Sequence, residues 1–316
     1  MNFEKPSFET NFEKSPAEQL GQKPESVVES EKGYDAAESL RRDFSDEWIY
    51  YENGEPLIDD ADLNQIMSFY RKEVKEGSLL DLGGGPNHFH YVSAIEDRLS
   101  HITTLDLSKR NIALLKEFVD NFDKMDNPRQ GALKEEDFEI LKCCVEANEI
   151  KNAKLRKEKP RPSSEIFQSL KEKSSVEGKP DLILGDMYDE KAFEGRKFDN
   201  VMLGFSIFAN NEDDVFHLMQ KVRMHLNPGG KVLISDFQGF DGEDLEGQFA
   251  EDEAVLKKFP NIIDLSPELI SSALEKAGFS KNNIKVDIKD PLFEDENGDG
   301  EKEKGFKYLF ISAKLE

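Results

Sequence analysis

The chain has 316 residues, of which 37% are hydrophobic and 34% charged, which suffices for one large α/β domain with appendages or two modest domains. Its 66 acidic and 42 basic residues give a net charge of −24, and such an acidic surface repels nucleic-acid phosphates and anionic lipids, so neither nucleic acid nor membrane is expected as a partner. The sequence shows no signal-peptide pattern and no apolar run of about 18 residues. The adjacent Cys143 and Cys144 suit neither a disulfide nor a metal site. We therefore expect a cytoplasmic, reducing setting and no bound metal.

The first 76 residues divide into two parts. Residues 1–40 are rich in Glu, Lys, Ser and Pro without apolar periodicity, which predicts a disordered acidic tail. Residues 41–76 form a second segment with one helix after Asp59, because apolar side chains recur there at helical spacing: Leu63, Ile66, Met67, Tyr70 and Val74. We therefore place the main domain at 77–316.

In the main domain, strand and helix patterns alternate. The predicted strands are 78–82, 101–107, 181–187, 198–206 and 231–237, followed by two that lack an intervening helix, 284–288 and 306–315. Alternation predicts an α/β fold with a seven-stranded, mostly parallel sheet and helices on both faces, and the last two strands predict an antiparallel C-terminal hairpin.

The segment 124–180 interrupts this alternation and is predicted to be a variable excursion. Within it, 136–144 has the pattern of a strand. The basic run 151–162 is expected to be a solvated loop, with an anion-binding patch as the alternative. Residues 295–300 begin like a calcium-binding loop, but Phe306 stands where the loop needs glutamate, so a polar turn is expected.

A glycine-rich turn follows the first predicted strand in the sequence LLDLGGGPNHFH. Gly83, Gly84 and Gly85 come directly after Asp81 and Leu82, and glycines let a backbone turn sharply and let a ligand approach closely. The helix expected next would present free N–H groups to an anion. Asp106 ends the second strand, where a carboxylate can accept both hydrogen bonds of a ribose diol. Together these features predict a site for a nucleoside-containing cofactor.

The pattern departs from a dinucleotide site, because His88 replaces the last glycine of Gly-x-Gly-x-x-Gly and no second βαβαβ half follows. LLDLGGGP, the acid at 106, Asp186 after LILG and NPGG before the fifth strand resemble class I S-adenosylmethionine-dependent methyltransferases. Within that class, Gly-Pro before an aromatic-rich helix with Ser93-Ala94 and the run 106–111 resemble the nicotinamide, phenylethanolamine and thioether methyltransferases. The resemblance spans about residues 78–316.

This resemblance implies S-adenosylmethionine as the cofactor and assigns roles by position. Asp106 would bind the ribose, with Asn111 supporting the polar end. The glycines would line the methionyl part and Asp186 with Met187 the adenine, while the backbone at 204–206 would face the methionyl amine. Tyr50 or Tyr51 would belong to an N-terminal lid helix segment. The full predicted cofactor set is Tyr50, Tyr51, Asp81, Gly83, Gly84, Gly85, Asp106, Leu107, Asn111, Asp186, Met187, Gly204 and Phe205.

The acceptor is less defined than the cofactor. Amine-methylating members carry an acid after the fourth strand where this chain has Phe208 in GFSIFANN, so Asp236 and His88 are the predicted catalytic residues. We predict N-methylation of a small molecule by a monomer. The alternatives are O- or S-methylation, and a regulatory protein that binds the cofactor without turnover. Aminopropyl transfer is disfavoured, because GFSIFANN offers no strongly acidic acceptor site.

Overall fold

The computed structural model describes the backbone of residues 51–52, 55–56, 60–85, 88–107, 109–122, 135–189, 193, 195–207, 209, 211–238, 263, 265–290 and 307–316. The predictions for 1–40, Tyr50, Phe208 and 295–300 lie outside these residues. Tyr51 falls in a two-residue strand, Tyr51–Glu52, that pairs with Glu55–Pro56.

One sheet of seven strands organises the chain. The strands are β1 Gly77–Leu82, β2 Leu99–Asp106, β3 Leu182–Leu184, β4 Phe198–Gly204, β5 Leu226–Gln238, β6 Ile284–Lys289 and β7 Lys307–Lys314. Their spatial order is β3-β2-β1-β4-β5-β7-β6. The first five strands are parallel, whereas β7 runs antiparallel to both β5 and β6. The prediction of a mostly parallel Rossmann-like sheet with an antiparallel C-terminal hairpin is confirmed.

Helices cover both faces of the sheet. The helices are α1 Asp60–Glu73, α2 His88–Ser93, α3 Lys109–Asn121, α4 Glu135–Arg156, α5 Ser163–Lys173, α6 Glu212–Met224 and α7 Pro267–Ala277. The first five share one hydrophobic cluster and α6 and α7 share another. Side chains alternate across a strand, so Leu79 enters the first cluster while Leu80 and Leu82 enter the second.

Several helix ends follow the local signals of the sequence. The Asn211 side chain accepts a hydrogen bond from the Asp214 N–H, and the Ser266 hydroxyl accepts one from the Leu269 N–H. Gly278 ends α7 in the left-handed conformation with φ 99°. None of the helices in the described part of the chain has the length and apolar character that a membrane crossing requires.

The structure corrects one expectation about elements: residues 136–144 are helical within α4 rather than a strand. The helix after the glycine turn, α2, has six residues and is followed by the short 3-10 helix Glu96–Arg98. In α1, Tyr70 is 0% exposed and lies in the same hydrophobic cluster as Leu79 of β1.

The excursion is built into the fold through α4. Asn148 and Asn152 lie one turn apart and are both buried. The Asn148 amide donates to the His90 carbonyl at 3.3 Å and to the Ser93 hydroxyl at 2.8 Å, and the Asn152 amide donates to the Ala94 carbonyl at 3.0 Å. These amides satisfy carbonyls at the end of α2, which has no further turn of its own to satisfy them.

The basic run 151–162 is the expected solvated loop only in part: most side chains of 157–162 are exposed, but two arginines of the run bond to buried carboxylates. It includes the end of α4, and Arg161 donates to Glu149 at 3.0 Å and to Glu96 at 2.8 Å, while Arg156 donates to Glu149 at 2.6 Å. Burial alone would raise the pKa of Glu149, but hydrogen bonds from the two arginines outweigh it and hold that pKa below its ordinary value.

We predict that Arg161→Leu lowers the free energy of unfolding by about 2 kcal/mol, because Glu96 and Glu149 would lose a charged partner while staying buried. The loss is smaller than for a sole partner, since Lys173 still bonds Glu96. Urea denaturation measures it. The control Glu158→Gln removes an exposed pair with Arg156 and should change stability by less than about 0.5 kcal/mol. Equal effects of the two variants would contradict the prediction.

Candidate functional site

The glycine turn lies where the strand order reverses, between β1 and its neighbours β2 and β4. Ligands of open α/β sheets bind at such a point, outside the carboxyl ends of the strands. The turn is tied to β2, because the Gly83 N–H donates to the Leu105 carbonyl at 2.7 Å. The predicted glycine and Asp106 positions are therefore adjacent in space.

Close packing requires the first two glycines. A Cβ on Gly83 would lie 2.5 Å from the Ser206 Cβ, and one on Gly84 would lie 2.6 Å from the Thr104 Cγ2, both well inside contact distance. Gly83 also has φ +68°, which favours glycine. The turn therefore rests directly on side chains from β2 and from the residues after β4.

Asp106 is oriented by its neighbours on two sides. The Gly85 N–H donates to one carboxylate oxygen at 2.8 Å and the Asn111 amide donates to the other at 3.2 Å. The Asp106 carbonyl accepts from the Gly185 N–H at 3.0 Å, which joins the ends of β2 and β3. The structure thus brings together three of the predicted cofactor residues, and Leu107 follows them as a buried side chain.

Asp81 and His88 lie beneath the turn, in a chain of three buried polar side chains. The His88 Nδ1 is 2.5 Å from the Asp81 carboxylate, and its Nε2 is 3.0 Å from the Thr104 hydroxyl. His88 is 0% exposed and Asp81 and Thr104 are 1% exposed. A proton acceptor must reach the acceptor molecule, so this placement does not support the predicted catalytic role of His88.

The residue directly after β4, Phe205, has a strained backbone conformation. Phe205 has φ 53°, which is rare for a bulky side chain and marks strain that often accompanies function. Its N–H donates to the Ser235 carbonyl at 2.8 Å, and the next residue, Ser206, donates its hydroxyl to the Leu82 carbonyl at 2.8 Å. These bonds hold the Gly204–Ser206 backbone against both β1 and β5.

Asp186 and Met187 follow β3 on the other side of the turn. The Asp186 carboxylate accepts from the Tyr188 N–H at 2.9 Å, and the Met187 carbonyl accepts from the Lys221 ammonium at 2.8 Å. The Met187 Cε would lie 3.1 Å from a Cβ on Gly83, so this side chain reaches the turn. Both residues therefore border the predicted cofactor site.

Asp236 lies near the end of β5 and is 8% exposed. Its neighbour Ser235 shares a 2.6 Å hydrogen bond with the Tyr70 hydroxyl from α1. Burial raises the pKa of Tyr70 well above its ordinary value, even though the bond to Ser235 acts in the opposite direction, so Tyr70 is neutral at pH 7.

Sequence reasoning missed three residues of this site: Tyr70, Thr104 and Ser235. Tyr70 was assigned only to the apolar stripe of its helix. The other two are small hydroxyl residues near strand ends, and their position at the carboxyl edge of the sheet was the available signal. Within the described residues, no group of three or more His, Cys, Asp or Glu side chains is placed to hold a metal ion.

No protein-family model matches the chain, and no curated protein matches it. Similar solved structures include a proposed O-methyltransferase from Nostoc punctiforme (14% identity, TM-score 0.46). The match covers 80% of this chain and 55% of that protein, so this chain spans about half of the other protein's length.

Two further similar structures are a methyltransferase from Thermotoga maritima whose name suggests histamine as acceptor (13% identity, 80% and 89% coverage, TM-score 0.43) and a phosphoethanolamine N-methyltransferase from Haemonchus contortus bound to S-adenosylhomocysteine (17% identity, 86% and 56% coverage, TM-score 0.45). Likenesses of this extent assign no residue of the site. The sheet order itself gives the chain a Rossmann-like α/β fold with an antiparallel C-terminal hairpin.

We predict that Gly84→Ala lowers the free energy of unfolding by about 3 kcal/mol, because the new methyl group would collide with Thr104 and with the Asp81 carboxylate in a packed interior. Gly85→Ala is the matched control: its Cβ would have no atom nearer than 3.8 Å, so only the φ of +54° matters, at about 1 kcal/mol. Chemical denaturation of both variants measures the difference. Equal losses of unfolding free energy in the two variants would contradict the prediction, because Thr104 and Asp81 would then be moving aside at little cost.

Proposed function

We propose that this chain is an S-adenosylmethionine-dependent methyltransferase that methylates a nitrogen of a small molecule. The observation that carries the proposal is the Asp106 carboxylate, held at the end of β2 by the Gly85 N–H and the Asn111 amide. A carboxylate fixed beside a glycine turn at the switch point of the sheet is suited to a ribose diol.

The residues present fit this cofactor by their chemistry. Asp106 would hold the ribose hydroxyls, and the Gly83–Gly85 turn would allow the methionyl part to approach the backbone. Asp186 and Met187 border the turn from the β3 side and would hold the adenine. The backbone of Gly204–Ser206, fixed by bonds to Leu82 and Ser235, would face the methionyl amine.

The cofactor supplies a methyl group already activated on a sulfonium, so the protein mainly aligns the reactants and excludes water. Alignment of this kind can supply about 7–11 kcal/mol of a reaction barrier. Phe205 is strained in backbone and packs edge-on against Tyr308 with ring centroids 6.2 Å apart. That contact fixes an aromatic ring beside the site, where a ring face near a cationic group would stabilise it by about 0.5–2 kcal/mol.

Two observations favour this cofactor over a nicotinamide dinucleotide. His88 occupies the position of the third glycine and is buried against Asp81 and Thr104. The half of the sheet beyond β5 consists of the antiparallel β6–β7 pair instead of a further βαβ unit.

We expect Asp106→Ala to weaken binding of S-adenosylhomocysteine by at least tenfold, since it removes the group oriented toward the ribose. Isothermal titration calorimetry of wild type and variant measures the change. Asp120→Ala, an exposed carboxylate on α3, is the control and should bind like wild type. The cofactor assignment would be wrong if wild type ignored S-adenosylhomocysteine yet bound a nicotinamide dinucleotide.

The acceptor side of the proposal rests on Asp236. This carboxylate is nearly buried near the end of β5. It follows Ser235, whose carbonyl accepts a hydrogen bond from the Phe205 N–H. A carboxylate there would attract a protonated amine and could take its proton before methyl transfer. The net charge of −24 also favours a small cationic acceptor over a polyanion.

We expect Asp236→Asn to lower kcat with an amine acceptor by about 100-fold while leaving S-adenosylhomocysteine affinity within about twofold. Formation of S-adenosylhomocysteine would be assayed with panels of amines, hydroxyl compounds and thiols, with the exposed Asp287→Asn as control. Turnover of hydroxyl compounds or thiols alone would replace N- by O- or S-methylation. Cofactor binding without turnover on any panel would favour a regulatory protein.

A further inference from the structure

The three side chains beneath the glycine turn connect two strands through one imidazole. Asp81 belongs to β1 and Thr104 to β2, and His88, the first residue of α2, bridges them. An ionised carboxylate only accepts hydrogen bonds, so the His88 Nδ1–H donates to Asp81. The Thr104 hydroxyl can donate to or accept from Nε2, so both ring nitrogens have a hydrogen-bond partner.

The turn rests on this chain of side chains. A Cβ on Gly84 would lie 2.7 Å from the same Asp81 oxygen that His88 contacts, which places the Gly84 backbone directly over the carboxylate. The residue after Thr104, Leu105, accepts the Gly83 N–H, and Asp106 accepts the Gly85 N–H. Displacing Asp81 or Thr104 would therefore move the contacts that orient the turn.

We infer that His88 is a positioning residue that sets the conformation of the Gly83–Gly85 turn, and through it the affinity for the cofactor. Without the imidazole, the Asp81 carboxylate would remain buried with one fewer donor, and the backbone of the turn lies next to it. The carboxylate would then compete for N–H groups that now bond to Leu105 and Asp106. The part of this inference that concerns affinity rests on the proposed function, whereas the part that concerns the turn does not.

His90 provides a matched comparison two residues along α2. It is 8% exposed, and burial lowers its pKa from 6.5 to about 4, so it is neutral at pH 7. Its backbone carbonyl accepts a hydrogen bond from the Asn148 amide of α4. A substitution at His90 therefore removes a buried imidazole from the same helix while it leaves the hydrogen bonds among Asp81, His88 and Thr104 in place.

The test compares His88→Leu, His88→Asn and His90→Leu in the full chain with two measurements. Hydrogen exchange of a peptide covering 79–85 in ligand-free protein reports the turn, and titration with S-adenosylhomocysteine reports affinity. We expect His88→Leu to speed exchange and to raise Kd at least tenfold. His88→Asn, whose amide replaces the Nδ1 donor, should recover most of both losses, and His90→Leu should leave both within twofold of wild type.

The inference is overturned if His88→Leu and His90→Leu change exchange and Kd alike in proportion to their loss of Tm, since His88 would then act on stability alone. It is also overturned if His88→Leu folds and leaves exchange unchanged. If His88→Leu does not fold, His88→Asn decides through the same two measurements. Wild type that fails to bind S-adenosylhomocysteine would refute the proposed function, and the exchange data would still decide the role of His88.

Discussion

The hydrogen bond from the Gly85 N–H to the Asp106 carboxylate connects the turn after β1 to the end of β2, and the rest of the site is arranged around it. The same aspartate accepts from Asn111 of α3 through its side chain and from Gly185, after β3, through its carbonyl. One residue at the end of β2 is thus joined to the turn after β1, to α3 and to the residue after β3. A carboxylate with neighbours fixed in this way is oriented before a ligand arrives, which reduces the ordering that binding requires.

The excursion between α3 and β3 supports this arrangement through its contacts with α2 and with the 3-10 helix that follows α2. The short helix α2 begins at His88, and near its other end Asn148 and Asn152 of α4 donate hydrogen bonds to the carbonyls of His90 and Ala94. Arg161, beyond α4, bonds to Glu96 in the 3-10 turn that follows α2. The insertion therefore fixes the far end of the helix whose first residue lies under the glycine turn, and the site depends on residues that are distant from it in sequence.

The sequence predicted the seven strands of the sheet and the C-terminal hairpin, because each depends on neighbours within a few residues. It did not predict α4, because the buried face of that helix mixes the apolar Leu141 and Val145 with the polar Asn148 and Asn152, whereas the apolar Ile150 and Leu155 are 59% and 68% exposed. Apolar periodicity cannot indicate such a helix. The glycine turn and Asp106 were predicted from spacing, but the role of His88 depends on Thr104 in another strand, a contact that only the fold defines.

The strained Phe205 and the nearly buried Asp236 both lie on the side of the site where the acceptor would enter. Phe205 holds a left-handed backbone conformation that its bonds to β5 maintain, and Asp236 lies nearly buried at the end of that strand. On the cofactor side, by contrast, glycines carry the left-handed conformations at little cost. A bulky residue keeps such a conformation only where the surroundings impose it. The backbone conformation of Phe205 is therefore imposed by β5. The same strand carries Ser235, which bonds to Phe205, and Asp236, the proposed base, so it links the positions of these two residues.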